Sequence, residues 1–184
     1  MSEKIKKIIF CSPEYITEKN YGGLSIYINK ITKLLNSNGI NTYILVSSDR
    51  NKTIKEKKNT IIKLKIHSTF TKYLSYFSKK LFIFYQSYYV NKKLNDLNII
   101  HNFQLVHFSN FENMSFFNQK KIPSLCRLSS LDFLWENKNV NFILKIISNF
   151  IERKSLKNVD LVLSPSTFLK KKLKIKYDIN SKLI

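Results

Sequence analysis

The chain has 184 residues, of which 32 are Lys or Arg and 12 are Asp or Glu, so its formal net charge at pH 7 is +20. A chain of this length buries enough surface to form a single domain without disulfides or a structural metal. Cys11 and Cys126 are therefore predicted to be reduced core residues, and the lack of a CxxC motif or Cys/His cluster predicts no zinc site.

Short apolar runs and one amphipathic stretch organise the first third of the sequence. The runs predict three strands, at Lys7–Ser12, Asn41–Ser47 and Thr60–Ile66. Apolar residues spaced three to four apart predict a helix over Gly22–Asn38, which Asn38-Gly39 ends. The lysine-rich stretch 49–59 is predicted to be a solvated loop.

Strands and helices continue to alternate in the remainder. Three more strands are predicted, at Gln104–Phe108, Ile122–Arg127 and Asp160–Ser164. Helices are predicted over 70–95, over Val140–Lys157 with Ile143, Ile147, Phe150 and Ile151 on one stripe, and over Thr167–Lys174 with Ser166 as N-cap. This alternation predicts an α/β fold with a doubly wound, mostly parallel, Rossmann-like sheet in one domain spanning 1–184.

Neither a membrane span nor a secretory signal is predicted. The longest uncharged apolar stretch, Leu81–Asn91, is shorter than the roughly 20 residues that cross a bilayer. The N-terminus passes from charged residues directly into an apolar run without a cleavage site, so a cytoplasmic location is predicted. Lysines are spread from residue 4 to residue 182, which predicts a general attraction for anions but does not favour nucleic acid as the partner.

Ligands of open parallel sheets bind beyond the carboxyl ends of the strands, and polar residues cluster there in this sequence. Gly22 and Gly23 stand at the head of the first helix, where backbone N–H groups can approach a phosphate or simply form a turn. His107 is predicted to close the fourth strand, either as a proton or hydrogen-bond donor to a sugar or as a structural residue. Glu14 and Glu18 are predicted to be solvated loop charges.

A second polar group follows the fifth strand. Arg127 suits either a phosphate or carboxylate ligand or an ion pair with Asp132, and Ser129 lies between the two. Trp135 is predicted to be a core residue rather than a platform for a sugar ring. Asp132 and Glu136 have no third ligand beside them, so no metal site is predicted.

Taken together, these segments resemble the N-terminal domain of retaining glycosyltransferases with two Rossmann-like domains, the GT-B architecture of glycosyltransferase family 4 (glycogen-synthase-like). The resemblance covers nearly the whole chain. Its parts follow the family's order: Ser12 to Glu14, Gly22-Gly23, Asn38-Gly39, Leu105 to His107, Pro123, Leu131-Asp132 and Glu152 to Ser166. Two positions depart from the family pattern, because Ser109 and Ser129 stand where it often has histidines.

The resemblance implies an acceptor-binding domain that meets a nucleotide-sugar donor and needs no cofactor. Gly22 and Gly23 would approach the donor diphosphate or the acceptor nucleophile, and His107 and Ser129 would line the sugar crevice. The full set of substrate-binding candidates is Gly22, Gly23, Ser25, His107, Arg127, Ser129, Asp132 and Ser166. The acceptor would be a glycan or a lipid-linked molecule in surface polysaccharide or glycolipid synthesis.

The same resemblance implies a missing partner domain. In that family a C-terminal domain with a Glu-x7-Glu motif holds most of the nucleotide-sugar site, so 1–184 alone is expected to lack efficient transferase activity. Leu183-Ile184 is predicted to open another strand, which suggests a longer natural polypeptide. The basic, aromatic 70–95 region suits either peripheral docking at the inner face of the plasma membrane or ordinary helix packing.

A non-catalytic binding module remains open as an alternative function. It would be either a degenerate transferase fragment or a basic nucleic-acid-binding α/β domain. Strong, salt-dependent affinity for RNA or DNA would favour the nucleic-acid-binding alternative.

Overall fold

A computed structural model describes residues 5–18, 21–66, 76–134 and 142–184, with 76–81 as backbone only. The described strands form one eight-stranded sheet in the order β3-β4-β2-β1-β5-β6-β7-β8. The strands are β1 (Lys7–Ser12), β2 (Asn41–Ser48), β3 (Lys52–Glu56), β4 (Asn59–Lys65), β5 (Leu105–Ser109), β6 (Ser124–Arg127), β7 (Leu161–Ser164) and β8 (Lys182–Leu183). The helices are α1 (Gly23–Ser37), α2 (Tyr76–His101), α3 (Phe142–Lys157) and α4 (Thr167–Tyr177).

Helices cover both faces of the sheet. On one face Ile28 of α1 packs with Phe10, Ile44 and other residues of β1, β2 and β4. On the opposite face, buried residues of α2, α3 and α4 pack against Cys11, Cys126 and their neighbours. All strand pairs except β3–β4 are parallel, so the predicted doubly wound, mostly parallel α/β fold is confirmed.

The prediction of a loop over 49–59 was wrong. Residues Lys52–Glu56 form β3, which pairs antiparallel with β4 at the edge of the sheet. Four of its five side chains are exposed, and Ile54 alone packs against the core. Charged residues are common on edge strands, where they discourage pairing with another chain.

Two predicted helix ends are confirmed. Gly39 follows α1 with a φ of +83°, the left-handed conformation that glycine adopts without strain. Ser166 caps α4 by accepting a hydrogen bond at Oγ from the Leu169 N–H at 3.2 Å.

The apolar stripe predicted in α3 is only partly turned inward. Ile151 is buried, but Ile143 and Phe150 are exposed, while Ser148, Glu152 and Ser155 occupy the buried side of the helix. The polar residues therefore face the protein and much of the apolar stripe faces outward.

Both cysteines are buried and free, as predicted. Burial raises the pKa of each thiol, so both stay protonated at neutral pH. His67, Trp135 and Glu136 lie outside the described residues. Within the described ranges, no helix has both the length and the apolar character needed to cross a bilayer.

Candidate functional site

The candidate site lies at the carboxyl ends of β1, β5 and β6, beside the start of α1. The strand register pairs Phe10 of β1 with His107 of β5. Between β5 and β6 it pairs Ser109 with Arg127. Because side chains alternate along a strand, His107 and Arg127 both lie on the face that α1 covers. The structure thus brings together two residues that the sequence placed after separate strands.

Arg127 is the central cation of this crevice. Its guanidinium carbon lies 4.1 Å from the centre of the Tyr27 ring, a cation–π contact between β6 and α1. Its Nε is buried and has no hydrogen-bond partner among the described residues. The predicted alternative of an ion pair with Asp132 is not observed in the described structure. A buried guanidinium nitrogen with an unused donor is suited to an anionic ligand.

His107 is more enclosed than predicted. It precedes the last two residues of β5 instead of closing the strand, and it is buried. Its ring packs 4.8 Å from Phe10 and 5.9 Å from Tyr27, measured between ring centroids. Burial, with a further contribution from the Arg127 charge, lowers the pKa of His107 to about 3. The imidazole is therefore neutral at pH 7 and supports the crevice without adding a second positive charge.

The depressed pKa of His107 predicts acid sensitivity. Unfolding exposes the imidazole and returns its pKa from about 3 to about 6.5, so the unfolded state binds an extra proton below that pH. The stability contribution is complete about one pH unit above 6.5, and well below pH 6.5 it falls by about 1.4 kcal/mol per pH unit until the folded pKa of about 3 is reached. Urea unfolding at pH 6.5 and pH 5 should show that His107→Gln loses about 1.6 kcal/mol less than wild type over this interval.

His101→Gln is the control for that experiment, because His101 lies at the end of α2 and is more exposed. Burial and the charges of Lys7 and Lys55 lower the pKa of His101 as well, so His101→Gln should remove some of the pH dependence, but less than His107→Gln does. The assignment to His107 fails if His107→Gln and wild type lose the same stability between the two pH values.

The start of α1 offers backbone donors next to open space. Gly22 is the N-cap and, as a glycine, offers no side chain to cap the helix. The Gly22 N–H donates to Glu14 Oε1 at 3.1 Å, and a Cβ on Gly22 would lie 3.3 Å from the same oxygen. A Cβ on Gly23 would meet no atom within 4 Å. An approaching anion therefore has room beside Gly23, while the Glu14 carboxylate occupies the Gly22 side.

Ser25 lies one turn into α1 on its buried side. Its Oγ is buried and has no hydrogen-bond partner among the described residues. This places a second unused polar atom at the helix start.

Asn110, which sequence reasoning missed, joins the two loops that follow β5 and β6. Its Oδ1 accepts hydrogen bonds from the Ser129 N–H at 2.8 Å and from Ser129 Oγ at 3.0 Å. Its Nδ2 donates to the Ser130 carbonyl at 2.5 Å. Ser129 is thus held at the crevice by Asn110. The sequence signal that could have found it was an asparagine directly after a predicted strand.

An ion pair fixes the loop between β1 and α1, so Glu18 is not the solvated charge that was predicted. Lys63 Nζ on β4 lies 2.7 Å from Glu18 Oε1 and donates to the Thr17 carbonyl at 3.1 Å. Ser48 Oγ donates to Glu18 Oε2 at 2.9 Å. The Lys63 side chain is only 3% exposed, so this pair is largely shielded from solvent.

Asp132 and Ser166, the last two predicted site residues, serve structural contacts. The Asp132 N–H donates to Glu152 Oε1 at 2.8 Å, and Glu152 Oε2 accepts a 2.6 Å hydrogen bond from the Tyr177 hydroxyl. The Ser166 hydroxyl is engaged as the cap of α4. A ligand role for either residue stays a prediction.

Two grooves lie away from this crevice. One of about 580 Å³ is lined by residues of α1 and the β3–β4 turn, and one of about 830 Å³ is lined by strand residues, Lys93 and His101. Neither contains Arg127 or Tyr27. The described residues include no group of three or more His, Cys, Asp or Glu placed to hold a metal ion.

Comparison by sequence finds neither a matching family model nor a matching curated protein. Solved structures nevertheless share the fold. Sucrose-phosphate synthase from Thermosynechococcus elongatus has a TM-score of 0.67 and 12% identity over 97% of this chain and 47% of its own. Phytolacca americana UGT2, complexed with UDP-2fluoro-glucose and pterostilbene, has a TM-score of 0.60 and 10% identity over 97% of this chain and 53% of its own.

An α,α-trehalose-phosphate synthase (UDP-forming) from Burkholderia vietnamiensis has a TM-score of 0.54 and 12% identity over 96% of this chain and 43% of its own. The chain spans about half the length of these proteins. All three are GT-B glycosyltransferases, so the chain has the Rossmann-like fold found in that class.

Proposed function

We propose that this chain is the acceptor-side domain of a retaining glycosyltransferase that moves a sugar from a nucleotide-sugar to a glycan or lipid-linked acceptor. The pathway would be the synthesis of a surface polysaccharide or glycolipid at the cytoplasmic side of the membrane. One observation carries the proposal. Arg127 presents a buried, unused donor beside the open start of α1, within a fold shared with glycosyltransferases.

The chemistry of the crevice fits the diphosphate of a nucleotide-sugar. Arg127 supplies a positive charge that a phosphate oxygen can approach, and the first turn of α1 supplies backbone N–H groups and the positive end of the helix dipole. A negatively charged Glu14 borders the same helix start, so the ligand would lie on the Gly23 side. Glu14 is then available to an acceptor hydroxyl.

Within the proposal, a second domain completes the site and closes over the donor. Transfer would need the sugar, the diphosphate and the acceptor to meet between the two domains. Asn110 holds Ser129 in the loop after β6, and neutral His107, packed against Phe10 and Tyr27, adds no second charge to attract the diphosphate.

Nucleotide release tests the proposal directly. The natural polypeptide that contains this chain would be incubated with a panel of UDP-, GDP- and dTDP-sugars and cell-envelope extract, and release of the nucleoside diphosphate would be measured. We expect turnover of at least one donor. Absence of turnover across UDP-, GDP- and dTDP-sugars would contradict it, and salt-sensitive binding of RNA instead would favour the nucleic-acid alternative.

Gly23→Ala tests whether the open space at the start of α1 receives a ligand. The added methyl group meets no atom within 4 Å, so stability should be unchanged or higher by about 0.5 kcal/mol. The methyl group would obstruct the proposed diphosphate, and we expect kcat/KM for the donor to fall at least about tenfold, a loss of about 1.4 kcal/mol.

Gly39→Ala is the matched control, because Gly39 has a φ of +83° and lies at the far end of α1. It should lose about 1 kcal/mol of stability and keep the wild-type kcat/KM. Equal activity of Gly23→Ala and wild type would contradict ligand approach at this glycine.

A further inference from the structure

An aromatic and aliphatic surface lies outside the crevice, on the opposite face of the sheet. We call it the aromatic face; its members come from α2, α3 and the segment between β5 and β6. They are Tyr85, Tyr88, Tyr89, Phe117, Phe142, Ile146 and Phe150. Each is exposed, with Phe142 reaching 74% and Phe150 57%.

Ring contacts connect the tyrosines of α2 through Phe117 and the buried Phe116 to Phe150 of α3, and Phe142 and Ile146 precede Phe150 at helical spacing on the same side of α3. Tyr85 lies 4.4 Å from Tyr89 between ring centroids, and Tyr88 lies 5.9 Å from Phe117. Phe116 then bridges to α3, at 4.9 Å from Phe117 and 6.4 Å from Phe150. Contiguous exposed apolar patches of this kind mark interaction surfaces.

Both helices bury polar side chains beneath part of their exposed apolar surface. A helix on the surface of a soluble protein turns its apolar stripe toward the core. Here α2 buries Gln86, Ser87 and Asn91 beneath its exposed tyrosines, and α3 buries Ser148 and Ser155 beneath Ile146 and Phe150. Both helices also bury apolar residues, among them Val90 and Leu94 of α2 and Leu156 of α3, so the exposed rings are apolar surface in addition to what the core takes up.

Buried hydrogen bonds hold the middle of the aromatic face in position. Ser87 Oγ and Asn91 Nδ2 donate to the Met114 carbonyl at 2.9 and 2.8 Å. Ser115 Oγ lies 2.7 Å from Ser155 Oγ on α3. Phe117 is thus carried on a segment fixed to both helices, so little ordering is needed when a partner binds.

Exposed basic residues follow the aromatic ones at intervals of three or four. Lys92 follows Tyr88, Lys121 follows Phe117, and Arg153 and Lys154 follow Phe150. On α2 and α3 this spacing places the basic residues on the same side as the aromatic ones, whereas Phe117 and Lys121 share a non-helical segment. The acidic groups nearby are largely engaged: Glu112 accepts a hydrogen bond from Gln86, and Asp160 lies 3.9 Å from Lys120, which leaves Asp96 exposed on α2.

We propose that the aromatic face docks on an anionic lipid bilayer. Tyrosine and phenylalanine suit the interfacial region of a membrane, and the basic residues beside them complement anionic headgroups. A second copy of the chain is a poorer occupant, because a symmetric contact would bring two basic rims together on molecules that each carry +20.

The position of the aromatic face in the fold is consistent with docking on a membrane. Helices α2 and α3 each lead into a parallel strand, so they run from the carboxyl edge of the sheet toward its amino edge. The aromatic residues lie in the first two-thirds of each helix, nearer the edge that carries the crevice. Docking would bring the crevice close to the membrane surface.

Vesicle flotation tests the inference without any sugar nucleotide. The purified protein would be mixed with phosphatidylcholine vesicles, with or without about 30% phosphatidylglycerol, at near-physiological salt. We expect binding to the anionic vesicles. Phe142→Gln/Ile146→Gln/Phe150→Gln should lower the partition coefficient at least about tenfold, because three apolar side chains no longer enter the interface.

Ile99→Gln/Ile100→Gln/Ile175→Gln is the matched control. It removes three exposed apolar side chains that lie outside the aromatic face. Like the α3 variant, it leaves the net charge unchanged and loses a similar area of apolar surface. It should bind vesicles as wild type does. Circular dichroism checks that both triple variants fold, as expected for changes at exposed positions.

Absence of binding to anionic vesicles, or equal losses of binding in both triple variants, would overturn the inference. So would vesicle binding that high salt abolishes but the α3 variant does not reduce. A dimer that the α3 variant dissociates would show a second copy of the chain as the occupant and would also overturn it. Because the assay contains no nucleotide-sugar, its failure is distinct from failure of the proposed sugar transfer.

Discussion

Arg127→Gln should lower the affinity of the protein for a UDP-containing donor by about 10- to 100-fold. The substitution removes a charge-assisted hydrogen bond of about 1.5–3 kcal/mol, and each 1.4 kcal/mol is a factor of ten. Arg127 Nε has no hydrogen-bond partner among the described residues, so no hydrogen bond at Nε has to break when the guanidinium turns out toward a phosphate. Calorimetric titration of the natural polypeptide with UDP measures the effect.

Two further variants make the Arg127 experiment specific. Arg50→Gln removes another of the chain's arginines, one whose side chain is 65% exposed beside Asp49, and it should leave UDP affinity unchanged. Arg127→Lys keeps the charge and loses the planar contact with Tyr27, so we expect intermediate affinity. Unaltered binding by a folded Arg127→Gln protein would remove Arg127 from the site.

Lys63→Met should destabilise the fold by about 3 kcal/mol. The substitution leaves Glu18 without its 2.7 Å partner, and breaking a buried pair typically costs about 3–5 kcal/mol; the lower figure allows for the 18% exposure of Glu18. Urea unfolding at pH 7 measures the loss. Lys65→Met, at an exposed position two residues along β4, should change stability by less than about 0.5 kcal/mol.

The double variant Lys63→Met/Glu18→Leu separates the pair from the packing of Lys63. Replacing both charges by apolar groups removes the unpaired carboxylate, so most of the lost stability should return. If the double variant is as unstable as the sum of the two single variants, the ion pair does not account for the effect.

The fold could be predicted because most of its elements have a local signal. The buried strand β1 and the helix α1 with its Gly39 end were readable from apolar spacing and one glycine. Strand β3 was missed for a physical reason: as an edge strand it exposes its lysines, and Ile54 alone marks its inward side. Hydrophobic periodicity carries no information where a strand buries almost nothing.

Helix α3 shows the opposite failure. Its apolar spacing was correct, but the side of the helix that faces the protein carries Ser148, Glu152 and Ser155. Helical periodicity identifies an apolar stripe but does not determine whether that stripe packs against the core or faces solvent. The partner of that stripe depends on neighbouring elements far apart in sequence.

Only the candidate-site residues that lie at or near strand ends could be predicted from the sequence. The rule that ligands bind beyond parallel strands located His107 and Arg127. It did not reveal Tyr27, Asn110 or Lys63, because each matters through a contact with an element distant in sequence. Likewise, the low pKa of His107 follows from its enclosure between Phe10 and Tyr27, which no local pattern encodes.

Amide chemical-shift mapping with UDP tests the central claim most directly. In the ¹⁵N-labelled natural polypeptide, we predict that saturating UDP shifts the amides of Gly22, Gly23 and Arg127 together with those of the Asn110 loop. Gly39, at the other end of α1, should remain unshifted. Shifts confined to the amino edge of the sheet, or no shifts in this domain at millimolar UDP, would contradict a phosphate-binding crevice.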